Sequence, residues 1–282
     1  MRIGYLVQNQ AAGAIAQVSS LAPRLEEMGF DSLWVTDHVI GVAAYEQFKY
    51  GPIWLEALAS LAFMAAQTSR IRLGTSVLVA PLRDPVYAAK VLATIDQLSK
   101  GRLDVAIGTG WSKAEFFALG RGQYHEPRGK VTDEAIEIML RCWQGGQIDW
   151  AGEYFQFRKV GFEPIPVQQP HPPVLIGGPF VPPVLRRIRK FGDAWHPSTL
   201  DIGALKGQIA EMRDFAGRHV PVVNRMTFLD PPAEAELARL IAGCAEAGCV
   251  EAVIDLRSYD LESAVAGAEL VMRLYRGAGL AG

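Results

Sequence analysis

Cysteine is scarce: three residues in 282, with no C-x-x-C pair, which excludes a disulfide framework and a thiol-based metal or redox motif. Cys142 falls in a helical run, and Cys244 and Cys249 flank the end of another. All three read as small buried apolar residues of a reducing compartment. Histidine is nearly as sparse, with five in the chain and no cluster at metal-ligand spacing, which disfavours a metal-dependent hydrolase. Lys/Arg runs are missing and the formal net charge is −2, so nothing attracts nucleic acid. No apolar run is long enough to cross a bilayer, and Met1-Arg2-Ile3-Gly4-Tyr5 reads as a strand rather than a signal peptide. A cytoplasmic protein with no membrane partner is expected.

What the chain does have is core material, since half of its residues are hydrophobic, at a length that one α/β barrel can hold. Apolar strand-like runs alternate with longer amphipathic ones throughout. Strands are expected at 3–7, 32–36, 71–77, 103–107, 174–176, 194–196, 221–229 and 250–256. The helices between them fall at 15–28, 54–67, 85–98, 128–143, 183–190, 202–218, 233–247 and 261–276. Gly29 suits a helix C-cap, and Asp84-Pro85 suits a capped helix start. Eight such units predict an α/β fold, a single (β/α)8 TIM barrel over 1–282. A doubly wound sheet would carry a glycine fingerprint after its first strand, and Val7-Gln8-Asn9-Gln10 has none. The pattern breaks at 145–173, an irregular hairpin and a proline-rich stretch inserted after the fourth helix. Its Trp150, Tyr154, Phe155 and Phe157 suit either a lid over the site or a dimer contact.

In a TIM barrel the C-terminal strand ends build the site. Those ends offer Gln8 and Asn9, Asp37 and His38, Thr75 to Val79, and Gly108 to Trp111. Gly177 and Gly178, Trp195 and His196, Asn224 or Arg225, and Asp255 with Arg257 complete the ring. Gly108-Thr109-Gly110 leaves backbone N–H groups uncovered for an anionic group, although glycine turns also end strands for structural reasons. Gly177-Gly178-Pro179 either breaks a strand or adds a second such set. Asp37-His38 is either a capping Asp beside a surface His or an imidazole placed for proton transfer at the mouth. Trp111 and Trp195 are either packing residues or the walls of an aromatic site.

Taken in order, several of these segments resemble the luciferase-like monooxygenase superfamily, in its F420-dependent oxidoreductase branch. The likeness rests on 25–38, ending in Thr36-Asp37-His38, and on Thr68-Ser69-Arg70-Ile71-Arg72-Leu73-Gly74-Thr75-Ser76-Val77. It continues through 93–103, the Gly108–Trp111 turn, 128–134, 172–178 and Gly192-Asp193-Ala194-Trp195-His196-Pro197. The resemblance implies a TIM barrel binding the deazaflavin coenzyme F420, or alternatively FMN, at its C-terminal mouth. It implies that Asp37 and His38 sit near the ring, with His38 the catalytic proton donor or hydrogen-bond partner. Thr75, Ser76 and Val77 would form a bulge with a non-proline cis peptide behind the ring, and Gly108, Thr109, Gly110, Gly177 and Gly178 would hold its side chain and phosphates. Asn9, Trp111, Tyr124, Trp195 and His196 would shape the substrate pocket. A homodimer and a separate cofactor-reducing enzyme are implied as partners. One departure stands out: sugar-phosphate dehydrogenases of this family carry a carboxylate just after the Gly-Thr-Gly turn, where this chain has Trp111. With no Lys/Arg cluster either, a small apolar or aromatic substrate is expected. An FMN-dependent monooxygenase and a non-catalytic flavin-binding barrel are the rival readings.

Overall fold

In the computed structural model, which describes residues 1–10, 12–41 and 53–280, eight parallel strands form one sheet that curls back on itself. The first half of the barrel runs β1 (Arg2–Leu6), α1 (Ala14–Met28), β2 (Ser32–Val35), α2 (Ala57–Gln67), β3 (Arg72–Val79), α3 (Pro85–Ser99), β4 (Leu103–Gly108), α4 (Lys113–Ala118) and α5 (Arg128–Trp143). A hairpin of β5 (Gly146–Ala151) and β6 (Gln156–Phe162) follows. The second half runs β7 (Val174–Gly177), α6 (Pro182–Phe191), β8 (Ala194–His196), α7 (Ile202–Ala216), β9 (Val223–Phe228), α8 (Glu234–Ala247), β10 (Glu251–Leu256) and α9 (Leu261–Gly277). The strand order is β8-β7-β4-β3-β2-β1-β10-β9, and parallel bridges from Trp195 to Val222 and from Ser198 to Arg225 join its two ends. The barrel is therefore closed, as the alternation of strands and helices predicts.

Local chemistry explains most boundaries. The Asp84 carboxylate accepts from the Tyr87 N–H ahead of Pro85, and Gly29 at φ 93° closes α1. Helix α2 starts later than expected because Glu56 caps it, accepting from the Ala59 N–H. The short α4 lies outside the expected helices: at six residues it is too brief to give a periodic signal.

The insertion is an antiparallel hairpin packed on α5. Trp150 Nε1–H and the Phe155 N–H both donate to Glu134 Oε1, while Phe155 and Phe162 are buried. Farther on, the Gln168 amide donates to Asp96 and to the Leu103 carbonyl. Leu103 opens β4, so the segment returns toward the N-terminal end of the barrel. No residue of 145–173 lines the cleft at the mouth. The lid reading is thus corrected: the aromatic residues expected to be exposed anchor the hairpin on a helix.

Strand parity decides what faces the interior. On β1, Ile3 and Tyr5 pack outward against helices while Leu6 joins an inner cluster with Trp34, Ala106, Leu175, Ala194, Val223 and Val253. Trp34 fills the space that Gly74 leaves, for a Cβ at Gly74 would lie 2.1 Å from the indole. The imidazole of His196 stacks above it, 5.1 Å between centroids. This packed layer is the floor on which the site stands.

Candidate functional site

Above that floor, the C-terminal strand ends enclose a cleft of about 640 Å³, a size ordinary for a small-molecule site. One wall is the end of β3. Its pairing with β4 shifts register between Thr75 and Leu78, and the Ser76–Val77 peptide is cis. The shift turns two successive residues inward: Ser76 reaches His196, and Val77 packs on the inner cluster while Leu78 points out. Val77 rests between two glycines. A Cβ at Gly108 or at Gly177 would lie 2.4 Å from its methyl groups. Beyond them Gly110 and Gly178 take φ 72° and 138°, leaving the turn backbone at the cleft unshielded by side chains. A flat ring with an anionic tail is the kind of group such a bare wall admits. Gly177→Ala should displace Val77 and weaken F420 or FMN binding by about tenfold or more in fluorescence titration, with the fold retained by circular dichroism.

A chain of buried polar groups fixes the Ser76 bulge. His196 Nδ1 lies 2.7 Å from the Val223 carbonyl, which can only accept, so Nδ1 carries the proton and Nε2 accepts from the Ser76 hydroxyl at 2.8 Å. Burial and the nearby Arg225 charge push the His196 pKa down to about 3, so the ring is neutral at ordinary pH. Arg225 Nη1 donates to the Ser76 carbonyl at 2.7 Å and Nη2 to Asp255 at 2.5 Å. Gln8 donates to the other Asp255 oxygen at 2.7 Å. Because unfolding lets His196 regain its ordinary pKa of 6.5, the unfolded chain binds the extra proton between that pH and about 3. The stabilisation is complete above the unfolded value and drains away as pH falls toward the folded one, by about 1.4 kcal/mol per pH unit. Denaturant midpoints at pH 7 and pH 4.5 should therefore fall more steeply for the wild type than for His196→Asn.

The other wall centres on His38. Its Nδ1 is 3.1 Å from Glu115 Oε2, and Glu115 Oε1 accepts from the Val39 N–H at 2.6 Å. Glu115 is buried, and with its carboxylate ionised the imidazole donates from Nδ1, which assigns Nε2 to the acceptor role. Trp54 and half-exposed Trp111 stand edge-on to His38, at 5.6 and 6.0 Å between centroids. Asp37 also lines the cleft, but its carboxylate is committed elsewhere. It accepts from the Val79 N–H at 2.8 Å and from both Arg83 terminal nitrogens at 2.5 and 2.7 Å. Asp37 thus ties the end of β2 to β3.

The structure gathers Asp37, His38, Ser76, Val77, Gly108, Thr109, Gly110, Trp111, Gly177 and Gly178 around one cleft. Of the residues expected to hold the ring or shape the substrate pocket, five do not line it, and strand parity explains Thr75 and Trp195. Asn9 points outward and is consumed by bonds to Leu55 and Thr36. Thr75 is buried with its hydroxyl on the Ala106 carbonyl. Trp195 is buried in the outer layer against Phe180, its Nε1–H on the Gly178 carbonyl. His196 lies beneath Ser76 rather than beside a substrate. Tyr124 packs near Tyr154 and Phe155, away from the cleft. Of the paired alternative at β9, Arg225 lines the cleft and Asn224 does not.

The residues that the sequence did not single out include Gln10, Ser198, Thr227 and Leu229, which line the cleft, and Glu115, which holds His38. Glu115 had a signal, since Ser112-Lys113-Ala114-Glu115 is a capping-box spacing, and Ser112 does cap α4. Arg225 and Arg257 reach the same cleft from β9 and from the end of β10, so cationic side chains far apart in sequence meet there. Among the described residues no group of three or more His, Cys, Asp or Glu could hold a metal ion, and no helix is long and apolar enough to cross a membrane.

A family model described as luciferase-like monooxygenase matches residues 1–263. The chain belongs to this family. Its relatives include an F420-dependent glucose-6-phosphate dehydrogenase of Nocardia farcinica, 31% identical over 221 residues, or 74% of this chain and 62% of that protein. They also include an FMNH(2)-dependent dimethylsulfone monooxygenase of Pseudomonas putida, 34% identical over 116 residues, or 41% of this chain and 32% of that one. Matches to other curated relatives span about half of their length (51%). Among solved structures, the coenzyme F420-dependent tetrahydromethanopterin reductase of Methanopyrus kandleri superposes with a TM-score of 0.76. It is 16% identical, with 96% of this chain and 97% of that one covered. That likeness establishes the shared barrel. Members of the family are oxidoreductases and monooxygenases, and both F420 and FMN occur among the relatives.

Proposed function

We propose that the cleft binds a flavin-type ring against Val77 and that the chain transfers a hydride between deazaflavin F420 and a small organic substrate. The observation that carries this reading is the convergence on one cleft of an inward Ser76–Val77 bulge, unshielded glycine turns and His38. Ser76, Val77, Gly108 and Gly177 would hold the ring; Thr109, Gly110 and Gly178 would hold its tail. When bound, F420 supplies the two-electron chemistry, and the protein supplies position and protons. His38 would exchange a proton with the substrate at Nε2, and Glu115 would keep its ring oriented through Nδ1. Trp111 and Leu229 offer an apolar wall for an aromatic or alicyclic substrate. A second copy of the chain and a separate cofactor-reducing enzyme belong to the same proposal.

The F420-dependent dehydrogenase among the relatives supports the deazaflavin reading, and the FMNH(2)-dependent monooxygenase supports an alternative in which FMN takes the same place. Titration of the purified protein with F420 and with FMN, each followed by ring fluorescence, tests the choice. Saturable F420 binding with no oxygen uptake on reduced FMN is the expected outcome. Tight FMN binding with substrate-dependent oxygen uptake would establish the alternative, and binding of neither would remove both.

A further inference from the structure

Among the described residues of the cleft, Gln10 has a side-chain amide that is fully buried and idle. It is 1% exposed, it lines the cleft, and neither Oε1 nor Nε2 has a hydrogen-bond partner. Its backbone is fixed by a bridge to Trp54, the residue that stands edge-on to His38. Past the end of β1 at Leu6, successive side chains go to different places: Gln8 bonds Asp255, Asn9 bonds Leu55 and Thr36, and Gln10 lines the cleft. Gln8, Asp255 and Arg225 bond to one another and to Ser76, and Asn9 makes four bonds of its own. A buried primary amide left without partners disfavours the folded chain, and one that lines a cleft is placed to be satisfied by whatever enters it.

We infer that Gln10 reads the substrate, and that the substrate presents a lactam-type edge, a C=O beside an N–H. This deepens the reading under Proposed function and rests on it for the assignment of the opposite wall to the ring. The chemistry follows from what Gln10 lacks: one donor and one acceptor, side by side. A cyclic amide satisfies both in a paired, two-bond contact; a carboxylate satisfies only the donor; a hydrocarbon satisfies neither. Topology separates this edge from the ring-binding wall. In the closed order, β1 has β2 and β10 as neighbours, and the glycine turn after β7 lies four strands away in either direction, diametrically across the mouth. His38, at the end of the neighbouring β2, stands beside that edge, where a proton donor to the reacting atoms is wanted. An aromatic body against Trp111 with a polar lactam edge on Gln10 replaces the expectation of a wholly apolar substrate.

The test pairs ligands that differ only at the edge. Binding of δ-valerolactam is compared with that of δ-valerolactone, and of 2-pyridone with that of 2-pyranone, the second of each pair lacking the N–H, by ligand-observed NMR on wild type and on Gln10→Met. The expected result is a preference for the lactams in the wild type of about tenfold or more, erased in Gln10→Met. Met preserves volume and removes the idle amide, so the melting temperature of the variant should stay level or rise, and its affinity for F420 or FMN should hold within about twofold. Equal binding of lactam and lactone by the wild type, or binding of neither, overturns the inference. So does a Gln10→Met protein that loses cofactor affinity in step with lactam binding, because Gln10 would then serve the ring or the fold. If Gln10→Met fails to fold, the wild-type lactam-to-lactone ratio decides alone. A wild type that prefers lactams yet binds neither F420 nor FMN defeats the cofactor assignment and leaves Gln10 as a lactam-reading residue.

Discussion

If the chain works as proposed, His38→Asn is expected to lower turnover by about a hundredfold or more while affinity for the cofactor, F420 or FMN, stays nearly constant, because general acid–base groups contribute on that scale and the ring-holding wall is untouched. Asn keeps a polar side chain near the position of Nδ1, so its contact with Glu115 can persist, but it removes the imidazole Nε2 to which the proposal gives the proton exchange. Glu115→Gln should give a smaller loss, since the new amide could still hydrogen-bond Nδ1 while reversing or loosening the preferred tautomer. The readout is the split between kcat and KM for any substrate found to turn over, with cofactor fluorescence reporting binding independently. Equal turnover in His38→Asn and wild type would remove His38 from the chemistry and leave it as a wall residue between Trp54 and Trp111.

The second large effect concerns stability. Asp37→Ala is expected to destabilise the protein by about 3–5 kcal/mol, which for a chain of this size is roughly 10 °C in melting temperature. Arg83 is nearly buried, and its guanidinium would lose the carboxylate that both of its terminal nitrogens contact. Glu56, the other partner of Arg83, is 41% exposed and cannot replace an interior counter-ion. The Val79 N–H would also lose its acceptor, loosening β3 directly beyond the Ser76–Val77 bulge. Burial pushes the Asp37 carboxyl up, opposed by the Arg83 charge and the Val79 N–H, so it is the pair that carries the stability. Differential scanning fluorimetry without ligand checks this. A loss of F420 binding with an unchanged melting temperature would assign Asp37 to the ring instead.

The two variants divide a pair that reads as one motif. Asp37 and His38 are adjacent in sequence, yet one carboxylate is sealed under Arg83 while the neighbouring imidazole lines the cleft. Other segments that carry the family resemblance also prove to be structural fasteners. Glu26 accepts from the N–H groups of Ser69, Arg70 and Ile71 just before β3. Arg102 gathers the carbonyls of Ala65, Thr68, Ile71 and Ser99 just before β4. Both hold the bottoms of strands whose tops form the site, which is how residues far from the cleft belong to the same resemblance as those inside it.

Much of the architecture was legible because it rests on local rules. Strand and helix alternation, the Asp84-Pro85 start, the Gly29 stop and the polar or glycine strand ends need only periodicity and backbone sterics. The barrel, its mouth and the positions of His38, Ser76, Val77, Thr109 and Gly178 follow from that local grammar once the family resemblance supplies the order. Tertiary structure alone decided which of two neighbours faces in. A shift of one residue exchanges Asn224 for Arg225 and Trp195 for His196, and no composition or motif resolves a difference of one position in a strand whose two faces are both buried. It also decided pairings across great sequence distance. Glu115 with His38 joins the ends of β2 and β4 across β3, and Arg225 with Ser76 joins the β9 and β3 ends across the mouth of the closed barrel, pairings that only the folded ring of strands creates.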